Sequence, residues 1–314
     1  MTVDRTDPPA ADFEAQRAHL RSVAYRMLGS LTEADDAVQE AWLRLSRADT
    51  GDVRDLRAWL TTVVSRVCLD MLRSRATRRE DSLEVHLPDP IVTRVDDDPA
   101  EQAVLADSVG IALLVVLDTL PPAERLAFVL HDVFAVPFEQ IGPILDRTPA
   151  AAKQLASRAR HRLRTAPAHP GATSADGDLA SAPPPGGADL ARQWTVVDAF
   201  LAASREGDFE GLLAILDPDI VLRADAGQGP LGPSTLIRGP RAVIAQAQRF
   251  ASLGRFAHRV LVNGAPGFLV VKDGEALAVI AATVRNGKIA EMDILSDPVR
   301  LRELDLVGLT EPEG

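Results

Sequence analysis

Two clusters of side chains in this 314-residue chain have the types and spacing to bind another macromolecule. The first is acidic and falls on one face if residues 32–44 form a helix. An acidic helix face is commonly just solvated, but a leucine exposed among carboxylates favours a surface that docks against a partner. We therefore interpret this acidic face as a candidate docking surface. Its members are Asp35, Asp36, Gln39, Glu40 and Leu43.

The second cluster is basic and has the chemistry to enter the major groove of DNA. No Asp or Glu occurs between Thr148 and Arg164, although the whole chain carries a net charge of −11. Thr148 and Pro149 are a typical helix start, and a short helical pattern over 138–145 precedes them across a tight turn. A positioning helix, a turn and a basic helix are the design of a helix-turn-helix. Its basic face consists of Lys153, Gln154, Ser157 and Arg158.

A third set of residues suits unpaired DNA. In the helical pattern from about Asp55 to Arg75, one face carries Trp59, Arg66 and Arg73. A guanidinium can hold a phosphate while an aromatic ring stacks on an unpaired base. The same side chains also fit a tryptophan packed on a neighbouring helix, with arginines favoured by the helix dipole. The residues alone leave both interpretations open.

Composition limits the remaining possibilities. The chain is 46% hydrophobic and 25% charged, as in an ordinary globular protein, and no apolar run reaches the ~18 residues that cross a bilayer. The single cysteine, Cys68, excludes an intramolecular disulfide and a cysteine-based zinc site, and the polar segment 1–12 is unlike a signal peptide. We expect a cytoplasmic protein without metal, cofactor or membrane contact. Because salt screens charges beyond ~10 Å, the acidic total leaves room for a local DNA-binding patch.

The chain divides into helical and mixed segments. The proline-containing stretch between the two helical blocks is predicted to be an extended linker, and a Pro/Gly/Ala/Ser-rich tether follows the second block. Beyond the tether, Asn263-Gly264, Asp273-Gly274 and Asn286-Gly287 separate alternating apolar runs, which predicts hairpins of a curved sheet around helices. The predicted segments are 10–80 and 101–166 (helical domains), 81–100 and 167–188 (linkers), and 189–314 (an α+β domain).

The two helical blocks resemble a known family. Segments Phe13–Gly29 and Thr32–Arg44 are similar to the polymerase-binding core of the sigma-2 domain of extracytoplasmic-function (ECF) sigma factors. Arg57–Arg73 resembles the family's −10 recognition helices, and Leu120–Arg164 resembles its sigma-4 helix-turn-helix. The resemblance implies a multidomain fold of two all-α domains followed by an α+β domain. It also implies the function of an alternative sigma factor, which binds core RNA polymerase and directs it to promoter DNA.

The resemblance implies a role for each cluster. The acidic face would grip the clamp helices of the polymerase β′ subunit, and the sigma-4 region would contact the β flap. Trp59, Arg66 and Arg73, with the loop at 48–55, would melt the −10 element and hold it as an unpaired strand. The basic face would bind the −35 duplex, and the linker would run toward the polymerase active-site cleft.

The C-terminal segment resembles a SnoaL-like domain, the cone-shaped fold shared with ketosteroid isomerases and nuclear transport factor two. ECF sigma factors of the SigJ type carry this domain in this position. Their linker motif is matched by Leu87-Pro88-Asp89-Pro90, and two further motifs are matched in part by Asp225-Ala226-Gly227-Gln228-Gly229 and Asp297-Pro298-Val299-Arg300-Leu301. We expect the domain to regulate promoter binding through these motifs. The expected regulatory contacts are Leu87, Pro88, Asp89, Pro90, Asp225, Gly227, Gly229, Asp297 and Pro298.

Two other interpretations stay open at this point. A helix-turn-helix regulator with a ligand-sensing cone domain is one, but it leaves the acidic face unexplained. An enzyme with a helical appendage is the other, with Asp225, His258 and Arg223 lining a cavity, although ordinary polar strand residues explain these three equally well. We expect no catalytic residues and favour a sigma factor, in which a fused regulator makes a separate anti-sigma protein less necessary.

Overall fold

The computed structural model describes residues 8–48, 55–78, 85–95, 110–165, 187–306 and 308–310. They fall into two compact units, one drawn from residues 1–82 and 116–165 and the other from residues 83–115 and 166–314. The first unit is helical, and the second is built around a β-sheet. None of the described helices has the length and apolar character needed to span a membrane.

Three helices open the chain and share one core. They are α1 (Pro8–Leu28), α2 (Leu31–Leu45) and α3 (Leu56–Arg78). Gly29, with φ +71°, ends α1 in the left-handed conformation, and Ser30 then caps α2 by accepting the Glu33 amide at 3.4 Å. The apolar stripes of the three helices meet, so that Met27, Val38 and Leu60 are at most 1% exposed.

Four further helices follow the linker. They are α4 (Ile111–Asp118), α5 (Pro122–Phe128), α6 (Phe138–Ile144) and α7 (Pro149–Thr165), and α5 continues as a π-helical turn over Val129–Val133. Asp146, with φ +54°, makes the tight turn between α6 and α7, and the Thr148 hydroxyl accepts the Ala151 amide at 3.2 Å. The predicted helix-turn-helix is therefore confirmed, with its N-cap. The buried face of α7 consists of Ala152, Ala156, Ala159 and Leu163.

The second unit contains a curved sheet of seven described strands. Its helices are α8 (Gly187–Glu206), α9 (Phe209–Ile215), α10 (Pro240–Arg249) and α11 (Pro298–Glu303), and a 3₁₀ turn spans Ala251–Phe256. Its strands are β1 (Val92–Thr93), β2 (Leu216–Asp225), β3 (Thr235–Arg238), β4 (Ala257–Val262), β5 (Ala265–Lys272), β6 (Glu275–Arg285) and β7 (Lys288–Leu295). The strand order is β1-β4-β5-β6-β7-β2-β3, and neighbours are antiparallel except β2 and β7.

Three two-residue hairpin turns set the register of β4 to β7. The pairs that close them are Val262 with Ala265, Lys272 with Glu275, and Arg285 with Lys288. The Asn or Asp of each turn has φ between 50° and 54°, and the following Gly has φ between 74° and 79°. Positive φ at both positions is the requirement of a type I′ turn, so the predicted hairpins are confirmed.

Helices α8, α9 and α10 cover one face of this sheet. The hydrophobic core of the unit lies between these helices and the sheet. Val197 of α8, Val243 and Ile244 of α10 and Ile289 of β7 are fully buried there. Trp194 packs edge-on against Phe268, with 6.5 Å between ring centroids. The predicted α+β cone is confirmed by this arrangement.

The described part of the linker, residues 85–95, is an edge of the same sheet. Strand β1 pairs antiparallel with β4, with Val92 opposite Val262. The extended conformation predicted for the linker is found, and it is stabilised by main-chain hydrogen bonds to the cone domain rather than by solvent.

Candidate functional site

The acidic face of α2 is exposed and organised by neighbouring arginines. Asp35 pairs with Arg21 of α1, with 2.7 Å between Nε and Oδ1, and Glu40 pairs with Arg44, with 2.9 Å between Nε and Oε1. Leu43 is 36% exposed beside them. Exposed ion pairs of this kind are worth only ~0–1 kcal/mol, so a partner's cations can replace either arginine at little cost.

The face of α3 that was assigned to unpaired DNA is only partly open. Trp59 is half-buried, whereas Arg66 and Arg73 are exposed. Arg66 Nη2 donates to the carbonyl oxygen of Pro143 in α6 at 3.0 Å. In this arrangement one N–H group of Arg66 is tied to the helix-turn-helix, and the remaining donors of its exposed guanidinium could still hold a phosphate.

The basic face of α7 is exposed along its first three turns. Lys153, Gln154, Ser157 and Arg158 are all exposed, since the alanine-rich opposite face of α7 packs into the core. The N-terminal part of the helix is thus free to face a groove, as the helix-turn-helix geometry requires.

Glu124 orients two basic side chains of α7 from beneath. This residue of α5 is buried, and its two carboxylate oxygens lie 3.0 and 2.9 Å from Nε of Arg158 and Arg162. A buried carboxylate requires such partners, and the two arginines keep more than half of their side chains exposed. Arg158 is therefore positioned by the protein, whereas Lys153 has no partner among the residues that the structure describes.

Among the described residues of the helical unit, His19 and Cys68 have pKa values that lie far from normal. Arg57 Nη2 donates to His19 Nδ1 at 3.2 Å, and His19 Nε2 lies 3.3 Å from the Thr61 hydroxyl. Burial, with the nearby charges of Arg57 and Arg26, lowers the pKa of His19 from 6.5 to about 4. Burial also raises the pKa of the Cys68 thiol to about 12. Both groups are therefore neutral at pH 7, and Cys68 is part of the buried core.

A second site joins the linker to the cone domain through Arg300. Its Nη2 donates to the carbonyl oxygen of Leu87 at 2.6 Å, its Nη1 donates to Asp225 Oδ2 at 2.6 Å, and its Nε donates to Asp89 Oδ1 at 3.2 Å. Asp225 Oδ2 also accepts the Leu87 amide at 2.9 Å. We call Asp89, Asp225 and Arg300 the linker clamp. Their side chains are at most 14% exposed, so the three charges are desolvated together.

Asn263 provides a second anchor for the linker. Its main-chain amide donates to the carbonyl oxygen of Ile91 at 2.8 Å, and its Oδ1 accepts the Ile91 amide at 3.1 Å. In this part of the linker, Leu87 is fully buried, and Pro88 and Pro90 are buried as well. The whole Leu87–Pro90 motif is therefore packed on the cone domain.

The two glycines of the cone motif let α11 approach the end of β2. Asp297 caps α11 by accepting the amides of Val299 at 2.8 Å and Arg300 at 3.4 Å. Gly227, with φ +49°, passes so close to the Asp297 carboxylate that a Cβ would collide with it. A Cβ at Gly229 would lie 2.9 Å from the carbonyl oxygen of Ser296. Close packing at these positions places Arg300 over Asp225.

The structure does not favour the alternative of a catalytic cavity lined by Asp225, His258 and Arg223. Asp225 belongs to the linker clamp, and His258 is exposed on β4. Arg223 is buried between Asp293 and Glu291, at 2.8 and 3.0 Å. None of the three lines the cavity on the concave face of the sheet. Ordinary polar strand residues are the better account, because the charges of Arg223 and Asp225 are compensated by buried partners and His258 faces outward.

Two residues of the linker site, Arg300 and Asn263, are not predicted by the sequence. Arg300 falls in a partial motif and Asn263 in a hairpin turn, and neither pattern indicates a contact with the linker. Their partners lie 213 and 172 positions away along the chain, so no local spacing could reveal them. The loop expected at 48–55 lies largely outside the described residues, as do linker residues 80–84 and 96–99.

Comparisons with known proteins match the same elements. The family model described as Sigma-70 region 2 matches residues 13–78, which contain α2 and α3, and the model described as Sigma-70, region 4 matches residues 111–163, which contain most of α7. The ECF RNA polymerase sigma factor SigJ of Mycobacterium tuberculosis is 41% identical over 303 residues, or 92% of this chain and 91% of that protein. The probable ECF RNA polymerase sigma factor SigI of the same species is 35% identical over 309 residues, or 95% of this chain and 96% of that protein.

A solved structure extends the likeness to the whole fold. The crystal structure of M. tuberculosis SigJ matches with a TM-score of 0.71 at 36% identity, and the match covers 95% of this chain and 99% of that chain. The similarity therefore includes the cone domain as well as both helical regions. The chain belongs to the extracytoplasmic-function sigma factors of the sigma-70 family.

Proposed function

We propose that this sigma factor docks on core RNA polymerase through the acidic face of α2 and holds promoter DNA through α3 and α7, while the cone domain regulates it by holding the linker. Binding of core polymerase and promoter recognition follow from membership of the family. The surfaces are our assignment. The observation that carries it is the separation of charge between two exposed helix faces, carboxylates on α2 and an acid-free basic face on α7.

The acidic face suits a basic and partly apolar partner. Its carboxylates point outward from one helix, and Leu43 offers an apolar contact among them. The clamp helices of the polymerase β′ subunit are the partner that the family resemblance implies, and the β flap is the partner implied for the sigma-4 region. Desolvated contacts at such a surface would gain both from charge complementarity and from burial of the leucine.

Promoter DNA would be held at two places. Lys153, Gln154, Ser157 and Arg158 would contact the −35 duplex, where the groove accepts an α-helix. Trp59, Arg66 and Arg73 would hold the −10 element as an unpaired strand, which a half-exposed indole and two exposed guanidinium groups suit. The regulator alternative uses only the duplex contact, and it gives no role to the region 2 match over 13–78.

Regulation would act through the linker clamp. The family resemblance implies that the linker runs toward the polymerase active-site cleft when the enzyme is bound. Here Leu87, Pro88 and Pro90 are buried on the cone domain, and Arg300 contacts Leu87 and Asp89. Release of the clamp would then be a step toward the polymerase-bound state. In this role the cone domain works by binding and not by turnover, in the cytoplasm with the polymerase.

Charge reversal tests the polymerase surface. The full-length Asp36→Lys/Glu40→Lys variant should bind immobilised core polymerase at least tenfold more weakly than the wild type, because close like charges replace attractive pairs. Glu206→Lys/Glu275→Lys makes the same change of charge at exposed positions of the cone domain and should bind normally. Equal loss in both variants would show a general effect of net charge and would refute the assignment, as would unchanged binding of the first.

A further inference from the structure

We infer that the cavity of the cone domain is a binding site for a small, uncharged and mostly apolar molecule that carries one hydrogen-bonding group. The cavity lies between the concave face of the sheet and α8 and α10, and it has a volume of about 140 Å³. Its lining shares no residue with the linker clamp or with the three faces assigned to polymerase or DNA. This inference therefore goes beyond the proposed function.

The wall of the cavity is mostly apolar. Phe200 contributes from α8, Phe250 follows α10, and Phe268, Ile280 and Met292 contribute from the sheet. An apolar protein cavity of about 150 Å³ can stay free of water and bind a molecule of the size of benzene. The ligand then makes the dispersion contacts that the side chains around an empty cavity lack. The cavity in this chain is of that size and character.

Ser204 gives the cavity a polar point. This residue of α8 lines the cavity, is 7% exposed, and its hydroxyl has no hydrogen-bond partner among the described residues. A buried hydroxyl is normally hydrogen-bonded, and leaving it unpaired costs ~1–3 kcal/mol. A hydroxyl or carbonyl group of a ligand would satisfy it. The other polar side chains of the wall are Gln246 and Ser296.

The lining also selects against charged ligands. The described residues that line the cavity include no Asp, Glu, His, Lys or Arg. A carboxylate or ammonium group would enter without a counter-ion and lose its hydration, which is strongly unfavourable. The chemical class is therefore a neutral phenol, ketone or alcohol with a compact apolar body, and the cavity offers no general acid or base to convert it.

Phenol and toluene are matched probes for this site, because they differ by a hydroxyl and a methyl group. Ligand-observed NMR titration of the full-length protein should give dissociation constants on the order of 0.1–1 mM, as small ligands of this size allow. Ser204→Ala should weaken phenol about three- to tenfold and leave toluene unchanged, since it removes one hydrogen bond and no apolar contact.

Two substitutions in α10 separate the cavity from non-specific binding. Ala247→Leu places extra carbons in the cavity wall and should weaken both probes at least tenfold, whereas Ala245→Leu lies on the exposed side of the same helix and should weaken neither. Circular dichroism checks that each variant folds. If Ala247→Leu fails to fold, Ser204→Ala still tests the site independently. The inference is overturned if the wild type binds neither probe, if binding survives Ala247→Leu, or if Ser204→Ala leaves the phenol affinity unchanged.

Discussion

Arg300 and Asp225 form a short ion pair, with 2.6 Å between Nη1 and Oδ2, and together they hold both main-chain groups of Leu87. Asp89 completes the arrangement, so one guanidinium compensates two carboxylates and one carbonyl oxygen. A buried pair that loses one member leaves an uncompensated charge, which is far more costly than loss of an exposed pair. Removal of Arg300 would therefore leave two carboxylates, Asp89 and Asp225, without their shared cation at the Leu87 end of the described linker.

Arg300→Ala should loosen the Leu87–Asp89 part of the linker on the cone domain, while the contacts of Ile91 with Asn263 remain. Loss of a buried pair costs roughly 3–5 kcal/mol, so the hydrogen exchange of the Leu87 amide should become at least thirtyfold faster. Arg302→Ala removes an exposed arginine two residues along the same helix and should leave the exchange unchanged. If the regulatory proposal is right, Arg300→Ala also raises promoter-specific transcription with core polymerase. Faster exchange of the Leu87 amide with unchanged transcription would show that Arg300 holds the linker, and it would refute the proposal that the linker clamp regulates transcription.

Lys153→Ala tests the −35 contact through its salt dependence. A lysine that neutralises one phosphate contributes about 0.9 to the slope of log affinity against log salt, so the variant should lose about one unit of slope on every duplex sequence. Arg241→Ala, an exposed basic residue of α10, is the matched control. An unchanged slope for Lys153→Ala would place this side chain away from the DNA backbone.

Trp59→Ala tests whether the indole stacks on an unpaired base. Stacking on an aromatic side chain is worth ~1–3 kcal/mol per base, so binding of a single-stranded −10 oligonucleotide to the sigma factor with core polymerase should weaken about five- to 150-fold. Trp59→Phe keeps a stacking ring and should retain most of the affinity. A purely structural role for Trp59 predicts instead that thermal stability falls in Trp59→Ala while single-strand binding does not.

His19 predicts a dependence of stability on pH. Its pKa is about 4 in the folded protein and 6.5 when unperturbed, so the unfolded chain binds the proton more readily between these values. The stabilisation is complete above pH 6.5 and is lost as pH falls through 4. The urea midpoint of the helical unit should therefore decline over this window, and it should decline less in His19→Gln. Parallel pH profiles for the two proteins would contradict this account.

Local patterns predicted much of the fold. Thr148-Pro149 and the Asn-Gly and Asp-Gly pairs act within a few residues, so the cap of α7 and the three hairpins could be read from the sequence. The acidic and basic faces also follow from helical spacing. The position of the linker could not be predicted in this way, because it depends on hydrogen bonds between residues more than 130 positions apart. The same holds for Arg66, whose hydrogen-bonding partner lies 77 residues away.

Promoter-directed transcription by core polymerase, with mapping of the RNA 5′ ends on genomic fragments, tests the two-surface assignment most directly. The wild type and Glu206→Lys/Glu275→Lys should produce the same discrete start sites, and Asp36→Lys/Glu40→Lys should produce none. Discrete starts that persist in the Asp36→Lys/Glu40→Lys variant, or a lack of starts with both the wild type and Arg300→Ala, would contradict the account.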